Sequence, residues 1–424
     1  MTCVIRLLMH VVTVCDPGHV DGGAPKVAIT AARGLADAGH EITFIYAVAP
    51  ASKALKHPRI HLEHLDFDSV WNKSNPFAAA AQGIWNSAAA RKFADVLRPM
   101  NPANTIVHFH QWTKALSPSV LPVPSRFGIS SIVSLHDYFL ACPNGAYYKF
   151  PAGAPCSLTP MSAACLTSAC DSRGAMYKGV RVLRQHATRQ ALKEAGSSLS
   201  LLNVSQFAQN MIDKFIPGIH RRFVVRSPIE QIMTPPTVVT ENTDFLFVGR
   251  ITVEKGIRQL VRAALETGLP LTLAGEGPLL NEVRDTADNI RCAGWLNQND
   301  LVQTMSKARA LIFPSTWYET GGLVVLDAMA QGIPVIVSNR TAPVEYIVDG
   351  ENGFVIDPDD PTTLSQRMLD LTDNTLAQRM GLEAYRHYWK SPRTVEAHVA
   401  ELLNVYRSIL VERPSNNHWS AAWS

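Results

Sequence analysis

The chain has 424 residues, of which 46% are hydrophobic and 18% charged, with a formal net charge of +3. This length exceeds one ordinary hydrophobic core and predicts two domains, and the composition excludes a disordered protein. So small a charge gives no reason to expect nucleic acid as a partner.

The N-terminal run VIRLLMHVVTVC predicts a buried strand over about residues 4–14. Arg6 and His10 interrupt it and no small-residue cleavage site follows, which argues against a signal peptide. No segment reaches the roughly 18 uncharged apolar residues of a membrane span. Seven cysteines, an odd number, favour a reducing compartment, and we expect a cytoplasmic protein.

Strand and helix patterns then alternate along the first half of the chain. A helix is predicted over 25–39, a strand over 40–48, one long helix over 76–97, and strands over 104–110 and 128–136. After an irregular segment rich in cysteine, proline and glycine at 137–174, the alternation resumes with a helix over 177–196. This order predicts a doubly wound parallel sheet.

A proline- and threonine-rich stretch at 227–244 reads as a linker, and a second alternating series begins with FLFVGR. We therefore predict two α/β, Rossmann-like domains facing a central cleft. The boundaries are 1–230 for the N-terminal domain, 231–388 for the C-terminal domain, and 389–424 for a helix and tail that return to the N-terminal domain.

Ligands of such sheets bind beyond the carboxyl ends of the strands, so the residues placed there are the candidates. In the second domain they include two cations, two acids and several glycines, which suit a diphosphate at a helix start. They are Arg250, Lys255, Gly275, Gly277, Glu319, Gly321, Gly322 and Asp327. Taken singly, each has an ordinary structural explanation, and it is their convergence that indicates a site.

The motifs VGRITVEKGI, LAGEGP and YETGGLVVLDAMAQGIPVI resemble those of the retaining glycosyltransferase family 4, the glycogen-synthase-like glycosyl transferase group 1 with the GT-B fold. The match is specific from about 245 to 358 and looser in the N-terminal half. The resemblance implies a nucleoside-diphosphate sugar donor, UDP- or GDP-linked, retention at the anomeric carbon and no catalytic metal.

The resemblance also assigns roles. Arg250 and Lys255 would hold the donor diphosphate, Glu319 the transferred sugar, and Asp327 the ribose. His136 would contact the sugar near the reacting carbon, so Glu319, His136, Arg250 and Lys255 form the predicted catalytic set. The remaining predicted donor-binding positions are Gly22, Gly23, Gly275, Gly277, Trp295, Leu296, Gly321, Gly322 and Leu323.

Two positions depart from the family pattern. The second acid of the family's Glu-x7-Glu pair is Asp327 here, one methylene shorter, so the nucleotide could sit differently. The linker begins with Ser-Pro-Ile-Glu where the family has a turn like Asn-Gly-Ile-Asp, which puts acceptor or hinge details in doubt.

Cys142, Cys156, Cys165 and Cys170 lie in the irregular segment, and the alternatives are a structural zinc and ordinary packing of a loop.

The helix that follows the irregular segment is rich in cations. They would form either a solvated face or a contact with an anionic membrane, which would place the protein at the inner face of that membrane. The five cations are Lys178, Arg181, Arg184, Arg189 and Lys193.

Three hypotheses for function remain. The first is a glycosyltransferase acting on a saccharide or lipid-linked acceptor in surface polysaccharide or glycolipid synthesis. The others are a sugar-nucleotide epimerase or hydrolase of the same fold, and a catalytically silent scaffold that binds a nucleotide sugar. The pair Glu319 and Asp327 disfavours the second, and retention of Arg250, Lys255 and Glu319 disfavours the third.

Overall fold

The computed structural model describes residues 8–412, apart from 217, 220 and 285. The predicted start of the first strand and the C-terminal tail lie outside the described residues. Two parallel sheets form the framework, each covered by helices on both faces. The strand order is β3-β2-β1-β4-β5-β8-β9 in the first sheet and β12-β11-β10-β13-β14-β15 in the second.

The strands are β1 His10–Pro17, β2 Glu41–Val48, β3 Ile60–His64, β4 Thr105–Gln111, β5 Ser130–Leu135, β6 Tyr148–Lys149, β7 Ala154–Pro155, β8 Leu199–Asn203, β9 Arg222–Val224, β10 Asp244–Val248, β11 Leu271–Ala274, β12 Ile290–Gly294, β13 Ala308–Phe313, β14 Val335–Ser338 and β15 Phe354–Ile356. The helices are α1 Gly23–Asp37, α2 Pro76–Ile84, α3 Ser87–Leu97, α4 Val123–Arg126, α5 Ala163–Thr167, α6 Ala175–Ala195, α7 Gln206–Ile212, α8 Ile257–Thr267, α9 Leu280–Val283, α10 Gln298–Ser306, α11 Leu323–Ala330, α12 Pro361–Asp370, α13 Asn374–Lys390 and α14 Val395–Val411.

The central strands are apolar along nearly their whole length because helices cover both faces of each sheet. The strand β10 is an example. It lies between two parallel strands, and its Phe245 and Phe247 are fully buried. Each such side chain stabilises the fold by about 2–3 kcal/mol through burial. The predicted class, two Rossmann-like domains with doubly wound sheets, is confirmed.

The direction of strand order reverses between β1 and β4 in the first sheet and between β10 and β13 in the second. Chains leaving these neighbouring strands turn to opposite faces, which opens a crevice at the carboxyl edge of the sheet. The loops that carry the predicted site residues begin at these two crevices.

The last helix, α14, packs against α1 of the first domain. A Cβ atom at Gly34 would lie 2.7 Å from Val395 Cγ1 and 2.8 Å from Val399 Cγ2, so the two helices approach at a point where only glycine fits. Tyr406 on the same helix is fully buried under the first sheet. The C-terminal end of the described chain thus helps to build the N-terminal core.

Two local predictions are wrong. The single helix predicted over 76–97 is two helices, α2 and α3, because the side chain of Asn86 accepts a hydrogen bond from the Ala89 amide and starts a new helix. The irregular segment contains a short hairpin, β6–β7, and helix α5.

Within the described ranges, no helix combines the length and the apolar character that a membrane crossing requires.

Candidate active site

Lys255 is held at the crevice of the second sheet by a tight turn after β10. The next residue, Gly256, has φ +74°, and a Cβ there would lie 2.2 Å from the carbonyl oxygen of Pro314. Glycine is therefore required for the turn to lie against the loop that leaves β13. This close approach brings Lys255 next to a segment more than sixty positions later in the chain.

Lys255 Nζ forms an ion pair with Glu319 Oε2, and Trp317 Nε1 donates a hydrogen bond of 2.7 Å to the same oxygen. The ammonium also lies 5.2 Å from the centre of the Trp317 ring. Only 12% of the lysine side chain and 16% of the glutamate side chain are exposed. A cation and an acid, both short of water, are thus fixed side by side at the crevice.

Glu319 is anchored through its backbone as well as its side chain. Its amide donates to the carbonyl of Arg340 over 3.1 Å, and its carbonyl accepts from the amide of Ala342 over 2.9 Å. These bonds tie the loop after β13 to the loop after β14. The carboxylate therefore sits on a rigid support, as a group that must orient a ligand requires.

Arg250 lies at the rim of the crevice. Its side chain is 64% exposed and its Nη2 is 3.5 Å from Glu254 Oε1. Because an exposed pair of this length is weak, the guanidinium is free to turn toward an anion in the crevice. The structure does not bring Arg250 into contact with Glu319.

The glycines after β11 allow two loops to touch. Gly275 has φ +147°, and a Cβ there would lie 1.9 Å from the Gly249 carbonyl oxygen; at Gly277 it would lie 2.4 Å from that of Ile251. The loop after β12 joins them, since the Gly275 amide donates to the Gly294 carbonyl over 2.7 Å. Trp295 follows with a largely exposed side chain, whereas Leu296 packs against the core.

The amino-terminal end of α11 opens at the same crevice. Gly322 has φ +105°, and its Cα faces Pro343, whose Cγ would lie 2.4 Å from a Cβ. Gly321 has open space around it, and the helix begins at Leu323. The first amides of this helix have no partner within the helix and favour an anion.

Asp327 occupies a more enclosed position than the sequence predicts. It is 6% exposed, and Oδ1 accepts a hydrogen bond of 3.0 Å from Gln231 Nε2 in the linker. Burial raises the pKa of this carboxyl above its ordinary value, and Lys26 of α1 partly opposes that rise. Asp327 therefore lies where the linker and both domains meet, apart from the Lys255–Glu319 pair.

The N-terminal domain contributes Gly22, Gly23 and His136. The two glycines stand at the start of α1 with open space at each Cα, so a ligand could approach the backbone closely. His136 follows β5, and its carbonyl accepts a hydrogen bond of 2.7 Å from Thr320 Oγ1 of the other domain. This hydrogen bond joins the backbone of His136 to the residue that follows Glu319, across the cleft.

Sequence reasoning missed a histidine cluster behind His136. His110 Nδ1 is 3.2 Å from His136 Nε2, and the rings of His108 and His110 are 4.0 Å apart. His108 bonds to Tyr406 over 2.6 Å, and His398 of α14 bonds to the Arg226 carbonyl over 2.9 Å. In β4 the sequence His-Phe-His puts both strand histidines on one face. This alternation is the feature of the sequence from which the cluster could have been predicted.

Burial keeps these imidazoles neutral. It lowers the pKa of His136 and of His398 to about 4, and it lowers the pKa values of His108 and His110 well below the ordinary value of 6.5. Neighbouring histidines lower the pKa values of His108, His110 and His136 further, whereas the hydrogen bond to the Arg226 carbonyl partly raises the pKa of His398. At neutral pH His136 is therefore an uncharged hydrogen-bonding group and a weak base.

This cluster predicts a loss of stability in acid that can be assigned to one residue. Between pH 6.5 and 4 the unfolded chain binds a proton at His398 that the folded chain refuses, so stability falls as pH falls. His398→Asn keeps a donor for the Arg226 carbonyl without titrating. We expect the variant to lose about 2–3 kcal/mol less than the wild type between pH 7.5 and 4.5 in urea unfolding.

The exposed histidine His61 supplies the control. His61→Asn removes an imidazole from the surface and is compared with His398→Asn over the same pH range, so that the effect of the substitution itself is controlled. Parallel losses in His398→Asn and the wild type would contradict the assignment.

The structure does not support the zinc site. Lys178 Nζ lies 2.9 Å from Cys170 Sγ and 4.0 Å from Cys165 Sγ, so an ammonium already occupies the space between two of the thiols. Cys142 Sγ instead donates to Asn144 Oδ1 over 3.1 Å. Across the residues that the structure describes, no three metal-binding side chains are grouped as ligands.

Three of the five cations of α6 are turned inward, which corrects the expectation of a solvated face for them, whereas Arg189 and Lys193 are exposed. Lys178 is buried among the thiols, and Arg181 pairs with buried Asp171 over 3.0 Å. Arg184 lies 4.4 Å from the centre of the Phe139 ring. Buried acid and aromatic partners draw these cations inward, which the spacing along the helix could not reveal.

Comparison with known proteins shows which families and structures this chain is similar to. Residues 229–387 match the family model described as glycosyl transferases group 1. Over 288 residues the chain is 26% identical to a glycogen synthase of Mycobacterium tuberculosis, covering 63% of this chain and 68% of the relative. The resemblance inferred from the motifs is confirmed.

Solved structures agree on the fold. Sucrose-phosphate synthase from Thermosynechococcus elongatus superposes with a TM-score of 0.67 at 16% identity, covering 95% of this chain and 99% of that one. Anabaena HepE, solved in complex with UDP, gives 0.65 at 14% identity and covers 94% and 100%. The fold is thus the GT-B fold.

Proposed function

We propose that this chain, whose residues 229–387 match the model of the glycosyl transferases group 1, transfers a sugar from a nucleoside-diphosphate sugar with retention at the anomeric carbon. The observation that carries the proposal is the Lys255–Glu319 pair at the crevice of the second sheet. One partner suits a phosphate and the other suits sugar hydroxyls. Because the two side chains are adjacent, a sugar–phosphate bond at this pair would have its phosphate beside Lys255 and its sugar beside Glu319.

The donor diphosphate would be held by Lys255, by Arg250 turning in from the rim, and by the amides of Gly322 and Leu323 at the start of α11. Asp327 would hold the ribose, with Gln231 orienting its carboxylate. The base would lie near Trp295 and Leu296. Anabaena HepE has been solved with UDP, so UDP is the first nucleotide to test.

The chemistry would rest on charge stabilisation. As the bond between the anomeric carbon and the diphosphate breaks, negative charge grows on the leaving phosphate, and Lys255 and Arg250 would neutralise it. These cations would take the part that a metal ion plays elsewhere, so we propose a metal-independent reaction. The acceptor hydroxyl would attack from the same face and give its proton to the oxygen of the leaving phosphate, and neutral His136 would position the sugar.

The acceptor would enter from the N-terminal domain. We propose a saccharide or lipid-linked acceptor of surface polysaccharide or glycolipid synthesis, used on the cytoplasmic side of a membrane. Among the described residues, Cys15, Cys142, Cys156, Cys165 and Cys170 form no disulfide, which supports a reducing compartment.

A thermal-shift panel with UDP, GDP, ADP, TDP and CMP tests the donor site. One diphosphate at about 100 times its Kd should raise Tm by about 5 °C or more, because it binds only the folded protein. CMP, which lacks the second phosphate, is the matched control. Equal or absent shifts with all five nucleotides would overturn the donor site and with it the proposal.

A further inference from the structure

Helix α6 turns three of its cations inward and leaves two large apolar side chains exposed, whereas an ordinary surface helix turns its apolar side chains inward. Met176 is 72% exposed and Leu183 is 58% exposed, two turns further along the same helix. The opposite face is occupied, since Gln185 Nε2 donates to the Leu140 carbonyl over 2.8 Å and Arg181 pairs with Asp171. The outward apolar face has therefore no role in the fold of this domain.

Helix α2 extends this apolar surface. It contacts α6, has no buried residue, and its Phe77 is 84% exposed. Trp71, just before α2, is held beside α6 because the Arg173 guanidinium stacks 4.0 Å from its ring centre and 5.6 Å from that of Tyr177. We call Trp71, Phe77, Met176, Tyr177 and Leu183 the α2–α6 surface.

The two segments that carry the α2–α6 surface have charges of one sign, although exposed Asp68 and Glu194 stand at their ends. Residues 69–94 and 172–193 contain no Asp or Glu, whereas they contain nine Lys and Arg. Three of those cations are turned inward, and exposed ones such as Lys73 and Arg173 remain beside the aromatic rings. Exposed Trp and Tyr next to cations are typical of surfaces that rest in the headgroup layer of a bilayer.

We propose that the α2–α6 surface docks on a bilayer with anionic headgroups. The apolar side chains would enter the headgroup layer, and the surrounding cations would face the lipid phosphates. The inner face of α6 packs on the segment that follows His136, so docking would place the acceptor side of the cleft next to the membrane. This inference rests on the proposed function only in naming that side as the acceptor side.

Cosedimentation with vesicles tests it. The full-length protein should sediment with phosphatidylcholine vesicles containing phosphatidylglycerol, bind at least tenfold more weakly to phosphatidylcholine alone, and dissociate as salt rises. The double variant Phe77→Ser, Leu183→Ser should lose about tenfold or more of the binding. The matched control is Leu265→Ser, Leu369→Ser, which removes two comparably placed leucines from α8 and α12 of the other domain.

Absence of vesicle binding by the wild type, or equal losses in the two double variants, would overturn the proposal. So would a dimer in sedimentation velocity that the Phe77→Ser, Leu183→Ser variant dissociates without any vesicle binding. The nucleotide-induced rise in Tm should be the same in all three proteins. The two readouts are therefore independent. Loss of vesicle binding would contradict the docking proposal alone, and loss of the rise in Tm would contradict the donor site alone.

Discussion

Lys255→Ala should lower kcat by about 10²–10³-fold, the usual cost of removing one group that stabilises charge in a transition state. The structure gives the reason: Lys255 Nζ contacts Glu319 in a position with little exposure to water, where a charge acts strongly on a bound phosphate. Turnover of a UDP- or GDP-sugar, measured as released nucleotide, is the readout.

Two further variants make this result interpretable. Lys255→Ala leaves Glu319 without its cation, which could unfold the loop, so the double variant Lys255→Ala, Glu319→Gln removes both charges. Arg258→Ala is the control, since Arg258 pairs with Glu282 on the exposed side of α8. Near-normal turnover in a folded Lys255→Ala protein would show that the diphosphate role is wrong.

Gly275→Ala should destabilise the C-terminal domain by about 3 kcal/mol or more. The added Cβ would lie 1.9 Å from the Gly249 carbonyl oxygen, and φ is +147°, so backbone strain and overlap add together. Because the loops after β10 and β11 would have to separate, the Tm rise on nucleotide binding should also shrink. Urea unfolding and the thermal-shift panel measure the two effects.

Gly268→Ala is the matched control for this variant. Gly268 ends α8 with φ +68° but has open space around its Cα, so only the strain of the left-handed backbone applies, about 1 kcal/mol. Equal losses of stability at the two positions would mean that the contact between the loops is unimportant.

Local patterns in the sequence were sufficient for the fold and for the places in it of several candidate site residues. Alternation of apolar strands with helices predicted two doubly wound sheets, and the rule that ligands bind beyond strand ends selected Lys255, Glu319 and Gly322. These inferences succeed because a strand, a helix start and a glycine turn are each encoded within a few neighbouring residues.

The tertiary structure alone decided which partners the charged groups have. Lys255 meets Glu319 across 64 positions, Asp327 is enclosed by Gln231 across 96, and His108 bonds to Tyr406 across 298. Likewise Lys178, Arg181 and Arg184 turn inward because thiols, an acid and a ring lie there. Such contacts depend on how distant segments pack, so spacing along the chain cannot specify them, whereas it does specify where each strand ends.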